Sequence, residues 1–155
     1  MRQMADNGRR HALIIGVSEY REKQRIKNLT GPANDAVALG QLLASSTPAY
    51  HVSLLVCGGD ATAQDQPTFT AITASVDTVL RDAQESDAVL LYFAGHGHEA
   101  GDDTFLLPAD ARCASLTKTG LSLRQLKSEL EDCRARNKVV VVDACFADAR
   151  RASGD

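Results

Sequence analysis

The chain has 155 residues, a formal net charge of −3 and 44% apolar residues, which is typical of one globular domain with a sizeable core. The acidic balance argues against nucleic acid as a partner, and no run approaches the roughly 20 apolar residues of a membrane span. Residues 1–10 are polar and unlike a signal peptide, so we expect a cytoplasmic protein whose four cysteines stay reduced.

Apolar runs typical of buried strands alternate along the chain with segments of helical periodicity. In chain order we predict a strand at 11–17, a helix at 33–43, a strand at 52–56, a helix at 68–83, a strand at 89–93, a hairpin arm at 104–108, a helix at 122–130 and a strand at 138–142. In the first helix the predicted apolar stripe consists of Ala36, Leu39, Leu42 and Leu43. This order predicts an α/β fold with a mainly parallel sheet, right-handed crossovers and helices on both faces.

Two of the predicted strands end in a reactive side chain. The third strand leads into Ala94-Gly-His-Gly-His98, and the fourth leads into Asp143-Ala-Cys-Phe146. Ligands of open α/β sheets sit beyond the carboxyl ends of the strands, so we expect His96 and Cys145 to share one crevice. An imidazole next to a thiol raises the fraction of reactive thiolate, which suits nucleophilic attack on a carbonyl.

From His11 to about Asp148 the chain resembles the large-subunit half of the caspase-like cysteine peptidases, the clan of caspases, metacaspases and bacterial orthocaspases. Three motifs carry the resemblance, and they are Leu29-Thr-Gly-Pro-Ala-Asn-Asp-Ala36, Phe93-Ala-Gly-His-Gly97 and Asp143-Ala-Cys-Phe146. A cysteine with a histidine about 50 residues upstream is itself a caspase spacing. The resemblance implies a caspase-like three-layer sandwich at 11–148, with a flexible tail at 1–10 and a tail or processing linker at 149–155.

The family's catalytic residues can be placed on this sequence one by one. The resemblance implies a cysteine endopeptidase with His96 as the general base and Cys145 as the nucleophile. It also implies that the backbone N–H groups of Gly97 and Cys145 hold the oxyanion. The sequence departs from many relatives after the nucleophile, where Phe146-Ala-Asp148 replaces a Ser-Gly pair.

Two acidic residues predict the class of substrate. Asp35 and Asp143 both follow predicted strands at the edge that carries the cysteine, and metacaspases resemble this arrangement, with an acidic pocket for a substrate arginine or lysine. Caspases instead have an arginine at the position of Leu29. Two carboxylates would pair with a guanidinium and repel an aspartate, so we predict cleavage after Arg or Lys.

Two other interpretations of the histidine motif have less support from the sequence. His96 and His98 could be part of a zinc site, but the two remaining histidines are predicted at the opposite end of the sheet, and catalytic zinc needs three protein ligands. Gly95-x-Gly97 resembles a dinucleotide turn, yet no helix is predicted after it. We therefore predict no metal in the site.

We also expect no cofactor, with calcium as the alternative. Asp102, Asp103 and Asp110 loosely resemble the acidic cluster at which some metacaspases bind calcium. Acidic loops are more often solvated, and calcium takes six to eight oxygen ligands.

Caspase-like peptidases continue into a small subunit, and nothing after Asp148 resembles it. We expect a protein or peptide substrate and a small-subunit (p10-like) half, present as a continuation past residue 155 or as a separate chain. Arg150-Arg151 is a candidate processing site for a bacterial signalling or self-cleaving protease. The alternative is a catalytically idle caspase-like protein-interaction module that docks through an open sheet edge.

Overall fold

The computed structural model describes residues 8–58 and 66–146, and within them it contains a six-stranded sheet flanked by helices. The strands are β1 (Arg10–Val17), β2 (His51–Cys57), β3 (Ala88–Ala100), β4 (Asp103–Leu106), β5 (Leu121–Ser122) and β6 (Asn137–Phe146). The helices are α1 (Pro32–Ala44), α2 (Phe69–Asp82), α3 (Leu116–Thr119) and α4 (Leu123–Asp132).

Four parallel strands form the main part of the sheet, in the order β2-β1-β3-β6. The carboxyl end of β3 continues past β1 and pairs antiparallel with β4, which in turn pairs with β5. The α/β fold with a mainly parallel sheet is confirmed, as is the small hairpin after the histidine motif. No helix in the described parts of the chain has both the length and the apolar character to cross a membrane.

Helices cover both faces of the sheet. Successive side chains of β1 point to opposite faces, so each face has its own buried core. Leu13, Ile15 and Val17 belong to the larger core, together with residues of α2 and α4. Ala12 and Ile14 belong to a smaller core against α1. We call these the α2/α4 face and the α1 face.

Three details differ from the prediction. Leu42 does not join the apolar stripe of α1, because its side chain is 65% exposed, and the residues that α1 buries are Ala33, Ala36 and Gly40. The strands β3 and β6 run on through the histidine and the cysteine instead of ending before them. At the amino end, β1 begins at Arg10, the last residue of the tail predicted at 1–10; residues 1–7 lie outside the described chain.

Asp87 ties the amino ends of β1 and β3 together, at the end of the sheet opposite the reactive motifs. Its buried carboxylate accepts hydrogen bonds from the backbone N–H groups of Arg9 at 2.7 Å and Gln84 at 2.8 Å. It also lies 3.2 Å from Nε2 of His11. Burial alone would raise the pKa of Asp87. These three contacts lower it by more, so the pKa of the carboxyl lies below its usual value.

We expect Asp87→Asn to lower the free energy of unfolding at pH 7 by about 1–3 kcal/mol, since the buried acceptor loses its charge and one of its two oxygens. The pKa is lowered in the folded state, so the contribution of Asp87 is present above the unfolded value of about 3.9 and is lost as the pH falls through the folded value. Urea unfolding of both proteins from pH 7 to pH 2 should therefore show a difference that shrinks in acid. Asp82→Asn, at an exposed position, is the control, and a difference independent of pH would contradict this account.

Candidate active site

The histidine and the cysteine predicted to share a crevice lie side by side on neighbouring strands. In the parallel pair β3·β6, His96 is the register partner of Cys145, and Gly97 is the partner of Phe146. Residues in register on parallel strands project to the same face, and Val142 and Ala144 pack on the α2/α4 face. The alternate residues Asp143 and Cys145 therefore point to the α1 face, and Cys145 is exposed there.

The His96 imidazole is held by a backbone carbonyl. Its Nε2 lies 2.8 Å from the carbonyl oxygen of Lys27. A carbonyl only accepts hydrogen bonds, so this contact requires a proton on Nε2 and leaves Nδ1 as the unprotonated nitrogen of the neutral ring. The arrangement leaves Nδ1, the nitrogen that Lys27 does not contact, able to accept a proton.

Tyr20 contacts the same histidine from a second side. The Tyr20 hydroxyl accepts a hydrogen bond of 2.8 Å from the backbone N–H of His96, and the two ring centroids are 5.2 Å apart. Burial raises the pKa of Tyr20 and outweighs the lowering effect of that hydrogen bond, so the phenol stays neutral. His96 thus has its backbone, one ring face and Nε2 fixed.

The loop between β1 and α1 supplies both Tyr20 and Lys27, and local hydrogen bonds hold it against the site. The backbone N–H of Tyr20 donates to Oδ1 of Asn28 at 3.1 Å, and that of Leu29 donates to the Ser18 carbonyl at 2.8 Å. The Ser18 hydroxyl accepts from the N–H of Ala33 in the first turn of α1. The loop that follows β1 therefore contacts the histidine directly.

Gly97 lies directly beneath the ring of Phe146. A Cβ built on Gly97 would lie 2.3 Å from Cε1 of Phe146, so any larger residue at this position would require the ring to shift. The Phe146 side chain is 47% exposed on its other side. The phenylalanine that departs from the family's usual Ser-Gly is therefore packed on the residue expected to donate to the oxyanion.

The charges of the two acidic residues predicted to bind the substrate both act on Tyr92 of β3. Burial raises the pKa of Tyr92, and the charges of Asp143 and Asp35 raise it further. Asp143 is the register partner of Ala94, two residues beyond Tyr92, while Asp35 lies in the first turn of α1, which packs on the same face. Both carboxylates are exposed, so they are available to a cation from solvent.

A cavity of about 350 Å³ adjoins the histidine, and its lining includes Lys27, His96, Gly97, His98, Leu107 and Cys113. His98 therefore lines a space next to the reactive ring. Across residues 8–58 and 66–146 we find no cluster of three His, Cys, Asp or Glu side chains suited to a metal ion. After Gly95-x-Gly97 the strand continues into the β3–β4 hairpin. A dinucleotide-binding turn would be followed by a helix, so this motif does not match one.

Asp103 and Asp110, two of the three acidic residues in the calcium hypothesis, are engaged in hydrogen bonds of the fold. Asp103 accepts from the Ser122 hydroxyl at 2.5 Å and from the N–H of Thr104 at 2.8 Å. The Ser122 hydrogen bond outweighs burial and lowers the pKa of Asp103. Asp110 accepts from the N–H of Phe69 at the start of α2. These contacts favour structural roles for both carboxylates.

The three other cysteines have environments that disfavour a reactive thiolate. Cys57 and Cys133 are buried, and their thiols donate to the carbonyls of Glu19 and Leu80. Burial raises the pKa of Cys57. Burial also raises the pKa of Cys113, and the nearby Glu22 carboxylate raises it further. Cys145 is the exposed cysteine among the four.

Comparison with known proteins is consistent with this geometry. The family model described as the caspase domain matches residues 9–155. A probable protease from a Desulfuromonadales bacterium is 27% identical over 150 residues, covering 86% of this chain and 18% of that protein. Metacaspase-1A from Aspergillus niger is 26% identical over 117 residues, covering 69% of this chain and 28% of the relative. The chain thus spans less than a third of these two curated relatives.

A solved structure shows the same fold. The crystal structure of a Geobacter sulfurreducens protein superimposes with a TM-score of 0.65 at 17% sequence identity. The match covers 86% of this chain and 48% of that one.

Proposed function

This chain belongs to the caspase-domain family, and on that premise we propose that it is a cysteine endopeptidase with Cys145 and His96 as its catalytic dyad. The observation that carries the proposal is the register pairing of the two residues at the carboxyl ends of adjacent parallel strands. In this pair an exposed thiol neighbours an imidazole whose protonated nitrogen, Nε2, donates to the Lys27 carbonyl. A nucleophile needs a base that is oriented in this way by a third group.

In the proposed reaction the thiolate of Cys145 attacks the carbonyl carbon of the scissile peptide. The backbone N–H groups of Gly97 and Cys145 stabilise the oxyanion, an interaction typically worth about 3 kcal/mol per donor in the transition state. The His96 imidazolium protonates the leaving amine as the C–N bond breaks, and water then hydrolyses the thioester. These steps need neither a metal nor a cofactor, and we propose that none is used.

We propose that Asp35 and Asp143 bind the side chain of a substrate arginine or lysine. Support comes from the position of Asp143 on the α1 face of β6 and of Asp35 in the first turn of α1, and both negative charges raise the pKa of Tyr92. A guanidinium placed between two carboxylates makes charge-assisted hydrogen bonds, and an aspartate in the same place is repelled. We further propose a cytoplasmic protease of bacterial signalling or self-cleaving type; its candidate processing site, Arg150-Arg151, lies outside the described residues.

The exposed edge of β6 supports the proposal of a small-subunit half. Val139, Val140 and Val141 are 54%, 39% and 42% exposed, and β6 has no strand partner on its outer side within the described chain. An apolar edge strand with free N–H and C=O groups favours pairing with a further strand. The same edge favours the alternative function, an idle module that only docks to another protein.

We expect peptidase activity on a library of peptides to rise by about tenfold or more when the small-subunit half is supplied, because the half would complete the wall that orients the substrate. Mass spectrometry of the products measures both the rate and the residue before the cleaved bond. Full activity of residues 1–155 as a monomer would contradict the need for this half. Binding of the half without cleavage of any peptide would favour the docking module.

A further inference from the structure

Tyr20 bridges the end of β1 and the histidine on β3 through a single buried hydroxyl. This hydroxyl lies 3.3 Å from the Val17 carbonyl and 2.8 Å from the backbone N of His96. A carbonyl only accepts and an N–H only donates, so the hydroxyl proton points to Val17 and the oxygen accepts from His96. The phenol therefore both donates and accepts a hydrogen bond, and Tyr20 is only 1% exposed.

The backbone next to Tyr20 leaves room for this hydroxyl. A Cβ built on Gly95 would lie 2.9 Å from the Tyr20 oxygen, closer than real Cβ atoms come. The glycine before the histidine thus leaves the space in which the phenol reaches the His96 N–H. The Tyr20 ring also packs against the imidazole, with centroids 5.2 Å apart and planes tilted by 42°.

The same loop positions the carbonyl that orients the imidazole. The N–H of Tyr20 donates to the side chain of Asn28, the neighbour of Lys27, and Lys27 accepts from Nε2 of His96. Tyr20 therefore fixes the histidine backbone directly and connects to the ring through Asn28 and Lys27.

We propose that Tyr20 is a positioning residue for His96, holding the imidazole so that Nδ1 serves Cys145 while Nε2 stays protonated. The inference rests on the proposed function, since His96 must act as a base for its position to affect the rate. Tyr20 touches neither substrate nor thiol in this role. It acts only through the histidine.

The test is Tyr20→Phe, which keeps the ring and removes the hydroxyl. We expect kcat on an arginine-containing peptide to fall by about 10- to 100-fold with KM nearly unchanged, because a misplaced base slows the chemical step without weakening substrate binding. Tyr50→Phe is the matched control. Tyr50 lies under the Arg10 guanidinium, and this variant should keep the wild-type kcat.

A second readout does not depend on peptidase activity. Long-range ¹H–¹⁵N NMR spectra of the His96 ring report which nitrogen carries the proton, and we expect the Nε2–H form in the wild-type protein and a mixture of tautomers in Tyr20→Phe. If the wild-type protein proves inactive, the proposed function fails while the tautomer measurement still tests Tyr20. An unchanged His96 spectrum in Tyr20→Phe would overturn the inference.

The proposal can also be tested where Tyr20→Phe does not fold. Labelling the three tyrosines with 3-fluorotyrosine keeps every hydroxyl in place, and the resonances are assigned with Tyr50→Phe and Tyr92→Phe. We expect the ¹⁹F resonance of Tyr20 to move with the protonation of His96, since the two rings are in contact. A Tyr20 resonance that does not respond when His96 titrates would overturn the coupling.

Discussion

Replacing Cys145 by alanine is expected to abolish peptidase activity and leave the fold intact. The loss in kcat should reach roughly 10⁴- to 10⁶-fold, because nothing else in the site can form the covalent intermediate. Cys145 is exposed, so the free energy of unfolding should change by no more than about 0.5 kcal/mol. Peptide hydrolysis and urea unfolding of the same preparations measure the two effects side by side.

Cys133→Ala is the matched control for this substitution. Cys133 follows α4 and is buried, with its thiol donating to the Leu80 carbonyl, so its removal should lower stability measurably and leave the kcat close to the wild-type value. His96→Ala should lose as much activity as Cys145→Ala, and the double variant should lose little more, since the two groups act as one unit. Losses that add fully in the double variant would argue against a dyad.

Asp143→Ala should lower cleavage after arginine by roughly 10²- to 10³-fold. Asp143 is solvent-exposed in this structure, but a bound substrate would cover it, and breaking one side of a buried ion pair typically costs about 3–5 kcal/mol. Alkylation of Cys145 by a small neutral reagent such as iodoacetamide should stay near the wild-type rate, because that reagent does not use the acidic pair. The comparison separates substrate binding from thiol chemistry.

Asp82→Ala provides the control for charge, because Asp82 is an exposed carboxylate at the end of α2 that pairs with Arg81. It should leave cleavage after arginine unchanged. Efficient cleavage after aspartate, with no response to Asp143→Ala, would refute the acidic pocket. Lysine peptides should respond less strongly than arginine peptides, since an ammonium cannot make the bidentate contacts of a guanidinium.

The main strands and helices could be predicted from the sequence, because each has a clear periodicity. Apolar runs predicted β1, β2, β3 and β6, and helical spacing predicted α1, α2 and α4; the Ser122 hydroxyl caps α4 by accepting from the N–H of Gln125. The two-residue strand β5 has no periodicity to detect. Leu42 was assigned to a buried stripe because its spacing suits one, but the contact surface of α1 is narrower: Ala33, Ala36 and Gly40 are buried, and Leu39 and Leu43 pack against the core only partly buried.

The register pairing of His96 and Cys145 could be predicted from the ends of two strands, but the groups that contact the histidine could not. The carbonyl of Lys27 is a backbone group, and backbone carbonyls have no sequence signature. Tyr20 looks like any aromatic residue in a charged loop until its hydroxyl is seen to accept from the His96 N–H. Tyr92 lies within an apolar strand, where a core role is the default expectation, and only its proximity to Asp35 and Asp143 links it to the acidic pair.

The central claim is that one thiol, activated by one histidine, performs the chemistry and that an acidic pocket selects the substrate. Mass spectrometry after treatment with a peptidyl chloromethyl ketone carrying arginine tests all three parts in a single measurement. We predict modification at Cys145 alone, loss of modification in His96→Ala, and a much slower reaction with the matching aspartyl reagent. Modification of Cys57, Cys113 or Cys133 in preference to Cys145, or equal rates for the two reagents, would contradict the account.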